Sequence, residues 1–318
     1  MFGDTRRFEA VAAEDPLNFA PLQDHRGRMW VRELPASAAD LCRRWRLLPL
    51  AGDFRTGYHG VVIPVRRDER SYVLKLTWPP DRIVDEVKAL SAWHGDGAVL
   101  LLDADIERGA LLLELLDAER TLQSVALAEA AAIAGGLLRR LAVPAPDGLP
   151  LLTDIAFELA SGLEARQDRL SNPIPTRIFV SVSSLASQLS ATCGNGSLVH
   201  ADLHYQNILA GTREPWLAID PKPVSGEPEH AVPELLWTRV DEVADACGIR
   251  DLLAVLVESA QLDADKARAW AVVRCADYWL WGLEHGLTRD PTRCERIVVA
   301  LLAPPDAATP VRDRGVGT

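Results

Sequence analysis

The sequence predicts an α+β protein with a small strand-rich lobe and a larger, mostly helical lobe. Two observations lead to this fold class. Short apolar runs separated by polar turns dominate residues 1–116, together with one prominent helical pattern. From about Asp117 onward, Ala- and Leu-rich stretches with helical spacing dominate, interrupted by a strand-like insertion near residues 198–219. Two lobes imply a cleft between them, and clefts of this kind commonly hold ligand sites.

Composition and charge narrow the class of protein. Of the 318 residues, 48% are hydrophobic and 25% are charged, as in ordinary globular proteins with a sizeable core. The net charge of −11 argues against a nucleic-acid partner or an anionic membrane, since either would need clustered Lys and Arg. The five cysteines are scattered and have no disulfide or zinc-site spacing. No signal-peptide pattern or long apolar run is present, so we expect a cytoplasmic protein.

The elements of the small lobe follow from apolar periodicity and turn residues. The segment up to about Pro35 has no clear period and is expected to be an irregular lead-in. Two strand-like runs on either side of the charged turn Arg67–Arg70 indicate a hairpin. In order, we predict a helix over Ser37–Leu47, strands over Val61–Arg66 and Ser71–Thr77, a helix over Ile83–Trp93, and strands over Ala98–Leu102 and Ala110–Leu116.

Helical periods dominate the large lobe on both sides of the inserted strands. Helices are predicted over Thr121–Leu141, Thr153–Arg169, Pro175–Ala191, Pro233–Cys247, Arg250–Ala260 and Asp265–His285. The chain is therefore divided into an N-terminal lobe over residues 1–116 and a helical C-terminal lobe over residues 117–303. Residues 304–318 are rich in Pro, Asp, Arg and Gly, and they are predicted to be a disordered tail.

The strongest chemical signal is the segment VHADLHYQNIL, residues 199–209. It contains a histidine, an aspartate two positions later and an asparagine five positions after that: His200, Asp202 and Asn207. Asp220, in LAIDP, follows Asn207 by thirteen positions on a second short strand. A tight hairpin between the two strands would bring Asn207 and Asp220 side by side at one end of the ladder.

This set of side chains suits phosphoryl transfer, which depends on positioning and on neutralising charge. Asp202 would orient an acceptor hydroxyl and take its proton. The amide oxygen of Asn207 and the carboxylate of Asp220 are hard ligands of the kind that Mg²⁺ prefers, and His200 would support the loop by hydrogen bonding. The alternative is that Asp202, Asn207 and Asp220 are turn residues on a surface hairpin, where Asp and Asn are common.

The segment from Val199 to Glu229 resembles the matching part of the aminoglycoside/hydroxyurea resistance kinases, especially the streptomycin 6-phosphotransferases. The likeness extends back through LKL at residues 74–76, ALSAWHGDGAVLLLD at 89–103, LLLELLDAERTL at 111–122 and VPAPDGL at 143–149. The resemblance implies a protein-kinase-like bilobal fold, ATP and Mg²⁺ as cofactors, and a cationic hydroxylated small molecule as acceptor. It makes residues 1–116 the nucleotide-binding lobe.

The resemblance also suggests roles for residues of the small lobe. Lys75 is similar to the lysine that contacts the nucleotide phosphates, and Glu86 is similar to its glutamate partner, with Asp85 as the alternative. A lysine on a strand can also simply extend its ammonium group to water. Gly57 and Gly60 occupy the position of the phosphate-covering loop, although a plain hairpin turn would use glycines equally well.

The segment from Glu114 to Leu116 would be the hinge between the lobes. Its backbone carbonyl and amide would contact the adenine edge, so the side chains matter little there. The alternative is a core strand, and the two interpretations are compatible.

Candidate acceptor-binding carboxylates lie in the large lobe, because the acceptor should approach Asp202 from there. An amine or guanidine group would pair with such carboxylates, whereas most charges on helices simply face solvent. The primary candidates are Glu227, Glu229, Glu234 and Asp277, and the secondary ones are Asp241 and Glu284. Trp237, Trp279 and Trp281 would either stack on a cation or belong to the core. The sequence departs from the streptomycin-kinase pattern after Glu229 and at Lys222, which leaves the acceptor in doubt.

The leading hypothesis is an ATP- and Mg²⁺-dependent phosphotransferase that acts on a hydroxyl of an aminoglycoside-like compound, with streptomycin as the first candidate. One alternative is a metabolic kinase acting on an amino sugar. Another is a pseudokinase that binds nucleotide and serves as an interaction module, against which the filled positions Lys75, Asp202, Asn207 and Asp220 argue. The acceptor hydroxyl, the choice between ATP and GTP and the oligomeric state stay open.

Overall fold

The fold is described from a computed structural model, which covers residues 19–50 and 54–303. The predicted disordered tail over residues 304–318 and the first 18 residues of the predicted lead-in lie outside the described residues. The predicted α+β architecture is confirmed, with a β-rich N-terminal part and a helical C-terminal part. The division at residues 116 and 117 stays a prediction.

Helix α1 spans His25–Trp45 and begins twelve residues before the predicted start at Ser37. The expectation of an irregular chain up to Pro35 is therefore wrong for the last eleven residues of that segment. Asp24 caps the helix, because its carboxylate accepts a hydrogen bond of 2.8 Å from the Gly27 amide.

The position of Pro35 inside helix α1 explains the wrong prediction. A proline in a helix interior removes one hydrogen bond and costs roughly 3 kcal/mol, so it normally marks a helix end. Here the buried residues Val31, Leu34, Ala38 and Leu41 repeat at helical spacing on both sides of Pro35. Their packing against the neighbouring sheet outweighs the local cost, since tertiary packing supplies most helix stability in proteins.

A six-stranded antiparallel sheet forms most of the small lobe. Its strands are β1 (Leu48–Pro49), β2 (Arg55–Thr56), β3 (Gly60–Arg67), β4 (Arg70–Thr77), β5 (Leu101–Asp105) and β6 (Ala110–Glu114). Their order is β1-β3-β4-β6-β5, with β2 paired to β3. The predicted hairpin is β3–β4, and it is confirmed. Leu48, just after the predicted helix Ser37–Leu47, lies exposed on β1.

Helix α2 spans Ile83–Trp93, the range that the sequence predicts. It packs between the sheet and the large lobe and buries Ile83, Leu90 and Trp93. The indole Nε1 of Trp93 donates a hydrogen bond of 2.8 Å to the carbonyl of Leu141. The helix is thus fixed to the large lobe at its C-terminal end.

Strand β5 begins three residues later than predicted, because the residues before it connect the two lobes. The Val99 amide donates to the Ala218 carbonyl at 2.8 Å, and the Ala218 amide donates to the Gly97 carbonyl at 2.9 Å. Ala98 therefore forms an isolated bridge to the large lobe instead of belonging to the small-lobe sheet.

The remaining strands form two small sheets in the large lobe. They are β7 (Asp117–Thr121), β8 (Ser197–His200), β9 (Ile208–Ala210), β10 (Trp216–Ala218) and β11 (Pro223–Gly226). One sheet has the order β10-β9-β7, and the other pairs β11 with β8. The predicted helix Thr121–Leu141 begins six residues too early, since β7 ends at Thr121 and the helix starts at Leu127. The sequence of β7, DAERT, is polar and mostly exposed, so it carries no apolar alternation that would identify it.

The other helices surround these sheets. They are α3 (Leu127–Leu141), α4 (Leu152–Arg169), α5 (Thr176–Thr192), α6 (Val232–Trp237), α7 (Ala246–Ala260), α8 (Ala264–Glu284) and α9 (Arg289–Leu302). The prediction of one helix over Pro233–Cys247 is wrong, since α6 ends at Trp237. Beyond it the buried guanidinium of Arg239 binds the Leu122 carbonyl and Glu242, which turns the chain away from helical geometry. Helix α9 was not predicted.

Two hydrophobic clusters support the lobes. One lies between α1 and the six-stranded sheet and includes Leu41, Leu74 and Leu112. The larger cluster joins the helices of the large lobe and reaches into the small lobe through Leu111 and α2. The two lobes are therefore packed together along one side of the cleft. Among the described residues, no helix is long and apolar enough to span a membrane.

The two glycines at the predicted phosphate loop differ in their surroundings. The amide of Gly57 donates to the carbonyl of Gly60 at 2.9 Å, which closes the turn before β3. A Cβ atom at Gly60 would lie 2.2 Å from the carbonyl oxygen of Leu76 on the paired strand. A Cβ atom at Gly57 would meet nothing within 4 Å. Gly60 is thus required by strand packing, whereas Gly57 leaves the loop open toward the cleft.

We therefore expect Gly60→Ala to lower the free energy of unfolding by about 1–3 kcal/mol or more, as overpacking does. Gly57→Ala, the matched control, should leave stability unchanged or raise it by up to about 1 kcal/mol, because alanine lowers the conformational entropy of the unfolded chain. Urea unfolding followed by circular dichroism measures both. Equal stability of the two variants would contradict this account of Gly60.

Candidate active site

His200 anchors the loop that carries the predicted catalytic residues. It ends β8, is 2% exposed, and its Nε2 lies 2.9 Å from the carbonyl oxygen of Ile219. Its Nδ1 lies 3.3 Å from the amide of Asp202, which donates to it. Burial lowers the pKa of His200, so the ring is neutral and donates from Nε2 while accepting at Nδ1. The imidazole thus fixes the backbone of the loop, in line with the expected supporting role.

Asp202 and Asn207 lie next to each other in this loop. The side-chain Nδ2 of Asn207 donates to the backbone carbonyl of Asp202 at 3.0 Å. The amide oxygen of Asn207 therefore points away from that contact. The carboxylate of Asp202 is 2.6 Å from the ammonium of Lys222, a residue that the sequence marked only as a departure from the family pattern.

The hairpin β9–β10 brings Asp220 to the same end of the ladder as Asn207, as predicted. Ile208 pairs with Ala218, and the Ile219 amide donates to the Asn207 carbonyl at 2.9 Å. Asp220 then adopts the left-handed conformation with φ of 54°, which Asp tolerates better than most residues. This turn directs the carboxylate of Asp220 across the cleft toward the small lobe.

Lys75 forms an ion pair with the carboxylate of Asp220. Its ammonium lies 2.5 Å from Asp220 and 2.8 and 2.9 Å from the two carboxylate oxygens of Glu86. Asp85, the alternative partner, instead accepts from Lys88 at 3.0 Å. Helical geometry explains the choice, since Glu86 lies on the buried face of α2 and Asp85 on the half-exposed face.

The electrostatics of this cluster follow from burial and charge. Burial opposes the charge on Lys75, but Asp220 and Glu86 outweigh it and raise the lysine pKa. The nearby Lys75 holds the pKa of Asp220 down at about 2. Burial raises the pKa of Glu86 from its usual value. Lys75 and Asp220 are therefore charged at neutral pH, and the cluster forms a salt bridge between the lobes.

His59, in the loop between Gly57 and Gly60, was missed by the sequence reasoning. Its Nδ1 is buried and has no hydrogen-bond partner among the described residues. Burial, followed by the charges of Arg82 and Lys222, lowers its pKa to about 4. A buried nitrogen without a partner is uncommon in proteins, and a bound ligand is one group that could satisfy it.

The predicted hinge is formed by Glu114 and the two residues after it. The Glu114 amide donates to the Leu100 carbonyl at 3.0 Å, and its carboxylate accepts from the Leu100 amide at 2.7 Å. The same carboxylate forms a 2.7 Å ion pair with Arg213. The amide of Glu114 is thus used within the fold, while Leu115 is exposed and Leu116 is half-buried.

The predicted acceptor carboxylates all have partners within the chain. Glu234 pairs with Arg274 at 2.9 Å, and Asp277 pairs with Arg166. Glu227 pairs with Lys266 at 2.6 Å.

The remaining candidates are bound as well. Glu229 accepts at 3.0 Å from the amide of Asp263, just before α8. Asp241 pairs with Arg289 and Arg293, and Glu284 pairs with Arg169. The cationic partners Lys266 and Arg274 lie on α8, 39 and 40 residues along the chain from Glu227 and Glu234, so no local sequence signal links them to these carboxylates.

Of the three tryptophans considered, two are buried in the core and one lies at the surface. Trp279 is buried in the core. Trp237 stacks on Tyr278 at 4.8 Å, and Tyr278 stacks on Trp281 at 5.2 Å, which gives a row of parallel rings. The guanidinium of Arg274 lies 5.5 Å from the ring of Trp237. The core alternative thus holds for Trp237 and Trp279, whereas Trp281 lies at the surface with 37% exposure.

A bilobal fold with a lysine–glutamate pair facing an HxDxxxxN loop is typical of the protein-kinase-like phosphotransferases. A family model for the aminoglycoside/hydroxyurea antibiotic resistance kinases matches residues 44–286. A streptomycin 6-kinase of Streptomyces griseus is 39% identical over 269 residues, which cover 82% of this chain and 87% of that protein. The chain belongs to the aminoglycoside/hydroxyurea antibiotic resistance kinase family.

Other relatives extend the comparison. A hydroxyurea phosphotransferase of Kitasatospora aureofaciens is 39% identical over 283 residues, which cover 87% of this chain and 81% of that protein. A thermostable mutant of an aminoglycoside phosphotransferase, solved with ADP and hygromycin B, matches with a TM-score of 0.57 at 14% identity. That match covers 84% of this chain and 99% of the solved one, and it shows that the fold is shared.

Glu234 gives the site a predicted pH dependence. Burial raises its pKa from 4.5 to about 7, against the opposing effect of Arg274. Because the folded state binds this proton more tightly than the unfolded state, its contribution to stability is present below pH ~4.5 and is lost as the pH rises to about 7. Glu234→Gln should remove this pH-dependent loss of stability, which amounts to up to about 3 kcal/mol in the free energy of unfolding.

Urea unfolding of wild type and Glu234→Gln between pH 4.5 and 8 measures the effect. The free energy of unfolding of Glu234→Gln, relative to that of the wild type, should increase as the pH rises. Glu158→Gln, on an exposed face of α4, is the matched control and should follow the wild type. A constant difference between wild type and Glu234→Gln across this range would show that the carboxyl does not titrate there.

Proposed function

We propose that this chain transfers the γ-phosphate of ATP to a hydroxyl group of a cationic aminoglycoside, with streptomycin as the first candidate. The observation that carries the proposal is the meeting of Lys75, Asp202, Asn207 and Asp220 in one cleft. Membership of the family and 39% identity to a streptomycin 6-kinase support the reaction and the acceptor class. The dependence on ATP favours a cytoplasmic location.

Asp202 is the proposed catalytic carboxylate. The backbone of its loop is fixed by His200 and Asn207, so the carboxylate has a defined position at the cleft. It would orient the acceptor hydroxyl and take its proton as the oxygen attacks the γ-phosphorus atom. General base catalysis of this kind contributes roughly 10²–10⁴-fold to rate.

Asn207 and Asp220 fit a magnesium ion. Nδ2 of Asn207 is used by the Asp202 carbonyl, which orients the amide oxygen away as a hard ligand. The ammonium of Lys75 already sits on the carboxylate of Asp220, so a cation is favoured at this point. No group of three or more His, Cys, Asp or Glu side chains suited to a metal occurs in residues 19–50 and 54–303. This suits a Mg²⁺ ion that takes its other ligands from nucleotide and water; when bound, it neutralises phosphate charge.

The nucleotide would lie under the small-lobe sheet. Lys75, oriented by Glu86, would contact the phosphates, and the open turn at Gly57 with Nδ1 of His59 would cover them. At the hinge, the Glu114 amide is already used within the fold. We therefore assign adenine recognition to the Glu114 carbonyl and the backbone of Leu116.

Glu234 and Asp277 are the proposed acceptor-binding carboxylates. Glu234 is buried and pairs with Arg274, and the charge of Asp202 adds to the rise of its pKa that burial causes. Asp277 lies one helical turn from Arg274 on α8. Glu227 and Glu229 bind Lys266 and the start of α8, so they position the helix that carries Asp277.

A second acceptor, hydroxyurea, is favoured by one structural observation. Each primary candidate carboxylate is already bound by a group of the chain, and two of them by arginines. A polycationic acceptor would have to displace or share these partners, whereas a small neutral hydroxyl compound would not. A relative named hydroxyurea phosphotransferase is as similar as the streptomycin 6-kinase, at 39% identity.

An acceptor screen by ADP release tests the proposed function. Purified chain with MgATP and streptomycin should release ADP at roughly 1–100 s⁻¹. Other aminoglycosides, hydroxyurea and amino sugars form the comparison set, and the last of these tests the metabolic-kinase alternative. Asp202→Asn should lower kcat by at least about 10²-fold while the affinity for MgATP is retained.

ADP release with hydroxyurea and not with streptomycin would favour the second acceptor. No phosphorylation by the wild type of any acceptor in the panel would contradict the enzyme proposal. If nucleotide binding persisted in that case, the interaction-module alternative would be favoured.

A further inference from the structure

Lys222 lies against the proposed catalytic carboxylate. Its Nζ is 2.6 Å from Oδ2 of Asp202, so the two side chains form a close ion pair. The lysine side chain is 58% exposed, whereas that of Asp202 is 19% exposed. The ammonium therefore pairs with Asp202 and is otherwise largely accessible to solvent.

The backbone fixes this contact. Strands β8 and β11 pair so that Pro223 lies opposite His200. The next residues out along this ladder, Ala201 and Lys222, are joined by a hydrogen bond of 3.1 Å from the Ala201 amide to the Lys222 carbonyl. Lys222 thus lies across from the residue that precedes Asp202. Two flanking prolines, Pro221 and Pro223, restrict the backbone on either side.

Lys222 also lies close to the proposed metal-binding residue Asp220. Only Pro221 separates the two residues along the chain. The lysine ammonium is therefore near both carboxylates that border the path of phosphoryl transfer. A transferring phosphoryl group carries negative charge on its oxygens, and it would pass between Asp202 and Asp220.

Electrostatic considerations favour a cation beside Asp202, in addition to the Mg²⁺ proposed at Asn207 and Asp220. Two carboxylates that face an anionic phosphoryl group repel it, and Lys75 is bound to Glu86 on the far side of Asp220. Donors aimed at developing charge supply a large share of catalysis in sites of this kind. Lys222 is exposed enough to contact a further anionic group, and it forms an ion pair with the carboxylate that would receive the proton.

We propose that Lys222 is a catalytic residue that bridges Asp202 and the γ-phosphoryl group of the nucleotide. The proposal rests on the phosphotransferase function proposed above. In the reaction, the acceptor oxygen forms a bond to the γ-phosphorus, the bond from that phosphorus to the β,γ-bridging oxygen breaks, and ADP leaves. The hydroxyl proton goes to Asp202. Lys222 stays protonated and donates hydrogen bonds to the phosphoryl oxygens throughout.

Nucleotide binding tests this contact without an acceptor. Isothermal titration calorimetry would compare MgADP with the Mg²⁺ complex of a non-hydrolysable ATP analogue. Lys222→Ala should weaken binding of the analogue about ten- to hundredfold, because a charged hydrogen bond to the γ-phosphate is lost, and should leave ADP affinity within about twofold. Lys222→Arg should retain most of the affinity for the analogue, since it keeps the charge.

Turnover with the acceptor found in the screen gives a second readout. Lys222→Ala should lower kcat about 10²–10³-fold, the usual effect of removing one donor to a transition-state oxygen. Lys88→Ala, which removes a lysine paired with Asp85 on the outer side of α2, is the matched control and should leave both readouts unchanged.

The outcomes separate this proposal from the proposed function. If the wild type binds both nucleotides and phosphorylates an acceptor, but Lys222→Ala keeps its preference for the analogue and its kcat, then only the assignment of Lys222 is wrong. A higher kcat in Lys222→Ala would mean that Lys222 blocks Asp202 at rest, and would also overturn the proposal. A wild-type chain that binds neither nucleotide would overturn the proposed function and this proposal together.

Discussion

The salt bridge from Lys75 to Glu86 and Asp220 is the interaction on which the rest of the cleft depends. Three separate parts of the chain meet there: strand β4, helix α2 and the turn after β10. Removing one partner of such a buried cluster leaves an uncompensated charge, which is costly. The cluster therefore fixes the distance between the lobes. It also fixes Asp220, whose left-handed backbone adjoins the strand pair that positions Asn207 and Asp202.

On the proposed acceptor side of the cleft, the carboxylates are neutralised by cationic side chains of the same chain. Helix α8 carries Lys266 and Arg274, and α4 carries Arg166, each bound to one of the predicted acceptor carboxylates. Charged pairs of this kind cost little to rearrange when they are partly exposed and much more when buried. Asp277 is 36% exposed at its side chain, whereas Glu234 is 9% exposed. A polycationic acceptor would thus have to compete with the internal arginines for these carboxylates, whereas a small neutral acceptor would not.

The catalytic half of the site could be predicted from the sequence, because its residues lie in one short segment with fixed spacing. The loop from His200 to Asn207 and the hairpin that presents Asp220 follow from local strand and turn signals. The pairing of Lys75 with Glu86 instead of Asp85 follows from the buried face of α2. The acceptor half could not be predicted, since the partners of Glu234 and Asp277 come from distant helices. Likewise, the start of α1 was obscured by Pro35, and the contact of Lys222 with Asp202 depends on the register of β8 and β11.

In the proposed mechanism, Asp220 exchanges the ammonium of Lys75 for a magnesium ion when nucleotide binds. A crystal structure with Mg²⁺ and a non-hydrolysable ATP analogue tests this exchange. We expect Mg²⁺ to be bound by Asp220 and by the amide oxygen of Asn207, while Lys75 keeps Glu86 and contacts the phosphates. A structure with the nucleotide in the cleft, the contact between Lys75 and Asp220 intact and no metal at Asn207 would rule the exchange out.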